Sequence, residues 1–120
     1  MNATSIANAE HYLWGQACDG WRLLATDDLS VIEERMHPGS FEQRHFHTRA
    51  HQFFYVLQGD ATLELDGITH RLQRGDGLHI PPGIAHQARS DGTKDVRFIM
   101  ISAPKAHGDR VMAPLAFQTS

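Results

Sequence analysis

The sequence predicts an all-β sandwich or barrel, and three features of the chain point to that fold class. Residues that break regular structure recur at short intervals, and the runs between them are rich in Phe, Tyr, Val, Ile and Leu. Several short strands separated by turns are typical of β-sandwiches and barrels. No window of about 12 residues shows a capped helical period of apolar residues, so we expect little helix. The breaks are Pro38-Gly39, Gly59-Asp60, Asp66-Gly67, Gly75-Asp76-Gly77, Pro81-Pro82-Gly83 and 90–93.

The strands can be assigned in chain order between these breaks. Two connections are predicted to be tight hairpins, one at Gly59-Asp60 and one at Asp66-Gly67, where Asp-Gly supplies the positive φ angles of a type I′ turn. Residues 1–14 and 103–120 carry weaker signals and are predicted to be arms or coil. The predicted strands are 21–25, 29–36, 42–47, 52–58, 61–65, 69–72, 77–80, 86–89 and 96–102.

Length and composition limit the classes of protein that need considering. The 120 residues fit a single domain, with a barrel core at about 21–102, an N-terminal arm at 1–20 and a C-terminal tail at 103–120. The net charge of -3 gives no basic footprint for nucleic acid. No apolar run approaches the roughly 18 residues of a membrane span, and the first residues lack a signal-peptide pattern. We therefore expect a cytoplasmic protein without nucleic-acid or membrane partners.

Nine histidines are present, and three of them fall in one short window. Alternate residues of a strand share a face, so His45 and His47 point the same way and Phe46 points the other way. Two imidazoles on one face can share a metal ion, because neutral imidazole is a common protein metal ligand. The alternative at this point is a solvent-exposed histidine pair.

Two longer patterns surround these histidines. The first is Gly39-x5-His45-x-His47-x4-Gln52-x6-Gly59, and the second is Gly75-Asp76-x4-Pro81-x-Gly83-x2-His86. Together they resemble the two motifs of the cupin superfamily. The resemblance implies a double-stranded β-helix jelly-roll barrel. It also implies that His45, His47 and His86 bind a divalent metal ion inside that barrel, with Zn, Ni, Mn and Fe as candidates.

The fourth ligand position departs from the usual cupin pattern. Most metal-binding cupins have Glu where this chain has Gln52, whose carbonyl oxygen can still be a ligand. Three histidines and one amide leave the ion its full positive charge, which favours an anionic substrate group. This ligand set is similar to that of some small cupins, including ones that act on uronate sugars. The alternative is that Gln52 marks a site without metal or catalysis.

Two further histidines have open roles. If residues 48–51 form a loop, His51 could reach the metal or act as a catalytic base; if the strand has begun, it faces solvent. Alternation does not settle which face His79 occupies. The same alternation places Phe41, Gln43, Phe54, Val56, Ala88 and Ser90 on the interior side, and it places Glu42 and Asp60 elsewhere. The predicted interior therefore has few carboxylates, so metal-bound hydroxide or His51 would supply any base.

The sequence leaves two functional hypotheses and one prediction about assembly. The first hypothesis is an enzyme, such as an isomerase, lyase or dioxygenase, acting on a small polar or anionic ligand such as a sugar acid or keto acid. The second is a non-catalytic module that binds or senses a metal or small molecule. A homodimer is predicted because four large groups face outward, and the N-terminal arm with Tyr12, Leu13 and Trp14 is the other candidate to cover them. These groups are Phe46, Phe53, Tyr55 and Leu57.

Overall fold

The computed structural model describes residues 2–115, and these residues form eleven β-strands. None of the strands exceeds eight residues, as expected from the density of turn-forming residues. The described residues contain no helix that could span a membrane. The strands are β1 (Glu10–Trp14), β2 (Cys18–Ala25), β3 (Ser30–Met36), β4 (His45–His47), β5 (His51–Gln58), β6 (Ala61–Leu65), β7 (Ile68–Leu72), β8 (Gly77–Ile80), β9 (His86–Arg89), β10 (Val96–Ala103) and β11 (Arg110–Met112).

The strands make two antiparallel sheets that enclose one core. The six-stranded sheet has the order β1-β2-β3-β10-β5-β8, and the five-stranded sheet has the order β11-β4-β9-β6-β7. Strands distant in sequence lie side by side, as β3 does with β10, which gives the jelly-roll barrel that was predicted. The stacked rings of Phe54 and Phe98, with centroids 4.3 Å apart, lie in the buried core.

Of the two predicted hairpins, the one at Asp66-Gly67 joins the paired strands β6 and β7, whereas the one at Gly59-Asp60 is wrong, because that turn joins β5 to β6 in the other sheet. Asp66 and Gly67 have φ angles of +50° and +86°, the pair of positive values that a type I′ hairpin requires. Gly59 has a φ of +83°, and a Cβ there would lie 2.5 Å from the carbonyl oxygen of Asp95. A residue other than glycine is therefore excluded at position 59 by both backbone strain and space.

The structure differs from the sequence prediction at both ends of the chain. The predicted N-terminal arm contains β1 and the start of β2, which pair as a hairpin with Tyr12 opposite Gly20. The predicted C-terminal tail contains β11, which pairs with β4 so that Val111 lies opposite Phe46. Short strands with mixed composition give a weak sequence signal, and tertiary pairing forms them anyway. Met1 of the arm and residues 116–120 of the tail lie outside the described residues.

One predicted strand is shorter than expected, and this changes which side chains face inward. The strand predicted at 42–47 begins only at His45. Phe41 and Gln43 are therefore exposed instead of lining the interior. Alternation cannot be extended backwards past the residue where a strand begins, because the period of two holds only inside the strand.

Candidate metal centre

The three motif histidines meet inside the barrel on neighbouring strands of the five-stranded sheet. His45 and His47 are the buried residues of β4, and His45 lies opposite His86 of β9. One ring nitrogen from each of the three residues lies within 4.8 Å of the others. This spacing lets the three buried histidines hold one metal ion.

Local structure fixes two of these rings in a defined orientation. Nδ1 of His45 donates to the carbonyl of Gln43 at 2.7 Å, and Nδ1 of His86 donates to the carbonyl of Ile84 at 2.9 Å. Each bond leaves Nε2 as the nitrogen with a free lone pair, the tautomer needed for metal binding. The turn before His86 is closed by Gly83, whose N–H donates to the carbonyl of His47 at 2.7 Å.

Burial keeps the histidine rings neutral at physiological pH. Desolvation lowers the pKa of His45 to about 3 and that of His47 to about 4, and repulsion from the neighbouring rings acts in the same direction. The pKa of His86 is also lowered, mainly by burial. Neutral imidazole is the form that binds metal, so the cluster does not have to lose protons before binding.

Gln52 faces the barrel interior from the opposite sheet and is 7% exposed. Its Nε2 donates to the hydroxyl of Ser102 at 3.0 Å, which directs Oε1 elsewhere. Within residues 2–115, four buried side-chain polar atoms lack a hydrogen-bond partner, and three of them belong to residues predicted as ligands. Unpaired buried polar atoms cost about 1–3 kcal/mol each, so their concentration here indicates a missing partner. The four atoms are Nδ1 of His47, Oε1 of Gln52, Nε2 of His86 and Oγ of Ser90.

His51 is not brought to the three-histidine cluster. It is the first residue of β5, so the strand has already begun there, and its ring is exposed on the outer face. Its Nδ1 lies 3.0 Å from Nε2 of His79, which is also exposed. The loop conformation that could have carried His51 to the metal is absent, and a catalytic role for His51 has no support in this geometry.

A cavity of about 440 Å³ is lined by Gln52 and Ser102 of the six-stranded sheet, but by none of the three cluster histidines. Its other walls come from the N-terminal hairpin and from the segment that follows β10. Two cationic side chains, Arg22 and Lys105, line it together with Tyr12. The ion-pair partners of both cations are highly exposed acids, Glu10 for Arg22 and Asp27 for Lys105, and Asp27 also lines the cavity. Such surface pairs contribute about 0–1 kcal/mol, so an anionic ligand can compete for the cations.

The interior also contains carboxyl groups that the sequence prediction missed. Glu34 of β3 accepts a 2.6 Å hydrogen bond from the hydroxyl of Tyr12, and burial raises the pKa of Glu34 to about 7. Glu42 accepts from the N–H of Ala88, and burial raises its pKa to about 8. Oε1 of Glu42 lies 3.6 Å from Nδ1 of His45. The expectation of few interior carboxylates, with Glu42 turned away, is therefore wrong.

One of these carboxyl groups could have been found from the sequence. Alternation from the buried Met36 places Glu34 and Ile32 on the same inner face of β3. Glu42 could not have been found this way, because it lies before β4 begins and only its tertiary contacts bring it inside.

The loop that joins β4 to β5 is held by an acidic residue of the predicted C-terminal tail. The carboxylate of Asp109 accepts hydrogen bonds from the backbone N–H groups of Thr48, Arg49 and Ala50 and from the hydroxyl of Thr48. The Thr48 hydroxyl is the main cause that holds the pKa of Asp109 below its usual range. This clamp fixes the chain between His47 and Gln52, and no local sequence signal marks it.

Comparison with known proteins agrees with this architecture. The family model described as Cupin domain matches residues 32–102. Polyketide synthase CurC from Streptomyces cyaneus is 34% identical over 71 residues, which are 59% of this chain and 46% of CurC. The chain thus spans about half the length of the first curated relatives it matches.

Two solved structures share the fold over most of the chain. KdgF from Halomonas sp. has a TM-score of 0.80 at 24% identity and covers 88% of this chain and 94% of its own. The polyketide cyclase RemF from Streptomyces resistomycificus has a TM-score of 0.81 at 19% identity and covers 97% of this chain and 87% of its own. At these identities the likeness concerns the fold, and the chemistry has to be argued from the side chains.

Proposed function

This chain belongs to the cupin family, and we propose that it is a small metal-dependent enzyme acting on a small polar or anionic molecule. In this proposal His45, His47, His86 and Gln52 hold one divalent ion inside the barrel. The observation that carries it is the convergence of three buried histidine nitrogens within 4.8 Å, together with the unpaired oxygen of Gln52.

The ligand set determines the charge of the centre and hence the class of substrate. Three neutral imidazoles and an amide leave a bound ion with its full charge of +2, and when bound it supplies Lewis-acid polarisation of a substrate oxygen. Arg22 and Lys105 add positive charge to the cavity wall. This electrostatic arrangement supports a sugar acid or a keto acid as substrate. Zn, Ni, Mn and Fe all remain candidates, since imidazole binds each of them.

Tyr12 lines the cavity and can offer its hydroxyl proton there as a hydrogen-bond donor, since burial, together with Glu34, raises the pKa of Tyr12 and keeps it protonated. A phenol has one proton, so while Glu34 is ionised the hydroxyl of Tyr12 is committed to it. When Glu34 is protonated, its O–H can donate to the Tyr12 oxygen, and the phenolic proton becomes available to a substrate oxygen. The pKa of Glu34 near 7, raised mainly by burial, keeps both states populated around neutral pH.

The contribution of Tyr12 depends on the N-terminal hairpin. Its ring packs over Gly20, where a Cβ would lie 2.2 Å from the ring. The guanidinium of Arg22 lies over the same ring, 4.3 Å from its centroid. A cation over an aromatic face is attracted to it, so both contacts hold the ring while its hydroxyl bonds to Glu34. The hairpin that the sequence indicated only weakly is thus part of the proposed active site.

The experiment is metal analysis followed by turnover measurements. We expect about one divalent ion per chain in the purified protein, and loss of that ion in His86→Ala. The matched control is His70→Ala, which removes a half-buried histidine of β7 outside the cluster. A full metal complement in His86→Ala would overturn the ligand assignment.

Turnover is then measured on a panel of uronates, keto acids and catechols with the metal-loaded protein. We expect one compound to be converted by the native protein, and conversion to fall sharply in Tyr12→Phe, which retains the ring but loses the proton. A stoichiometric ion without turnover of any compound would instead favour a non-catalytic binding or sensing module. The cytoplasmic location predicted from the sequence remains a prediction.

A further inference from the structure

A second pair of histidines lies outside the barrel, on the outer face of the six-stranded sheet. Nδ1 of His51 and Nε2 of His79 are 3.0 Å apart, and the two exposed rings are inclined by only 12°. The pair is separate from the interior cluster, because Gln52 and Ile80 beside them in sequence are buried and face the opposite side.

The backbone holds both imidazoles in place before any ligand arrives. β5 and β8 are hydrogen-bonded neighbours, with Phe53 opposite His79, so His51 and His79 are diagonal neighbours on one face. β8 is the edge strand of the sheet, so the described strands leave the far side of His79 open. A ligand that bridges the two rings needs side-chain rotation and no change in the fold.

The separation of the two nitrogens matches shared coordination of one ion. Two nitrogens bound at about 2.0–2.1 Å in adjacent positions of a square plane or octahedron lie about 2.9 Å apart. We propose that His51 and His79 form a second, surface site for a divalent transition-metal ion. Water fills the remaining positions, and both exposed rings turn out of their hydrogen-bonded alignment so that their lone pairs converge on the ion.

The proton balance of binding is simple. In the neutral pair one facing nitrogen carries a proton and donates it to the other. That proton moves to the second nitrogen of the same ring, and both facing nitrogens then present lone pairs to the metal. No net proton is released from the neutral pair. Imidazole ligands with water select Ni²⁺, Cu²⁺ or Zn²⁺ over Ca²⁺ and Mg²⁺, which prefer oxygen ligands.

The test is a calorimetric titration of untagged, metal-free protein with NiCl₂. We expect two ions per chain in the native protein, one in the interior and one at the surface. His79→Ala should lose one of the two binding phases, with at least about a tenfold weaker affinity for the surface ion. His47→Ala should keep the surface phase and lose the interior one, and His70→Ala should keep both.

These variants distinguish failure of this site from failure of the interior centre. If His51→Ala and His79→Ala both bind Ni²⁺ with the stoichiometry and affinities of the native protein, the pair is only a hydrogen-bonded contact and the inference is wrong. If His47→Ala instead leaves binding unchanged, the interior assignment fails while the surface site stands. A titration with MgCl₂ provides the selectivity control, and binding of Mg²⁺ with equal affinity would also overturn the assignment.

Discussion

The inner and outer faces of the six-stranded sheet distribute polar and apolar groups in opposite ways. Inside, β5 and β3 place Gln52 and Glu34, each held by a defined hydrogen-bond partner. Outside, the same β5 presents Phe53 and Tyr55, which are 40% and 37% exposed. Buried polar groups and exposed large apolar groups are the informative exceptions to ordinary burial. The inner face therefore carries polar groups suited to a ligand, and the outer face carries exposed aromatic side chains.

The largest effect is expected from a change that disturbs the inner face directly. Gly20→Ala places a methyl group 2.2 Å from the ring of Tyr12, so the ring must leave Gly20 and its hydroxyl must leave Glu34. Overpacking of this kind costs about 1–3 kcal/mol, and we expect a loss within that range, to which the partly buried hydrogen bond to Glu34 contributes. Urea denaturation measures this loss in the free energy of unfolding.

The control for this variant is Gly92→Ala, because no atom lies within 4 Å of a Cβ at that position. We expect its free energy of unfolding to stay within about 0.5 kcal/mol of the native value. Equal stability of the two variants would mean that Tyr12 is not seated on Gly20 in solution.

The next largest effect is expected from replacing the ionisable carboxyl group of Glu34, which lies on the inner face. Folding raises the pKa of Glu34 to about 7 from an ordinary value of 4.5, mainly through burial, so the folded state retains a proton that the unfolded state loses. Stability from this group is present below pH 4.5 and is lost as the pH rises through 7. Glu34→Gln should therefore be more stable than the native protein at pH 8, by on the order of 2 kcal/mol, and nearly equal to it at pH 4.

The control for Glu34→Gln is the same substitution at an exposed acidic residue. The side chain of Glu10 is 72% exposed and pairs with Arg22 at the surface. We expect Glu10→Gln to follow the stability profile of the native protein at both pH values, because a surface pair is worth little. A Glu34→Gln variant that gains no stability at pH 8 would show that Glu34 is not desolvated as the structure places it.

The sequence was most informative where alternation runs uninterrupted inside a strand. Gln52, Phe54 and Val56 were predicted to face inward from β5, and all three are buried. Alternation failed at Phe41 and Gln43, because β4 is only three residues long and the chain before it follows tertiary contacts. The period of two carries no information outside a strand.

The outward groups were predicted correctly one by one but wrongly as one patch. Phe46 lies on β4 of the five-stranded sheet, and Phe53 and Tyr55 lie on the opposite sheet. The N-terminal arm does not cover the latter two, since β1 is separated from β5 by β2, β3 and β10. A sequence cannot show which outward faces coincide until the strand order is known, because that order is set by long-range pairing.

The predicted homodimer can be tested on the outer face alone. If a second copy covers Phe53 and Tyr55, Phe53→Ser should raise the dimer dissociation constant by about tenfold or more, since central aromatic groups dominate interfaces. The control is Ile68→Ser, which is 64% exposed on the other sheet. Sedimentation equilibrium at micromolar concentration gives the mass, and a native protein with the mass of one chain would contradict the dimer.

The smallest effect is expected from a substitution that changes the charge at Gln52 but hardly changes the size of its side chain. Gln52→Glu retains an oxygen in the position of Oε1, supplies the carboxylate that most metal-binding cupins have there, and loses the donor to Ser102. The added negative charge favours the cation, and the lost hydrogen bond disfavours the rotamer, so metal affinity should be retained or modestly strengthened. Gln52→Ala removes the oxygen and should weaken affinity by at least about tenfold. Competition with a chelator measures both variants, and equal affinities in Gln52→Ala and the native protein would show that Gln52 does not bind the ion.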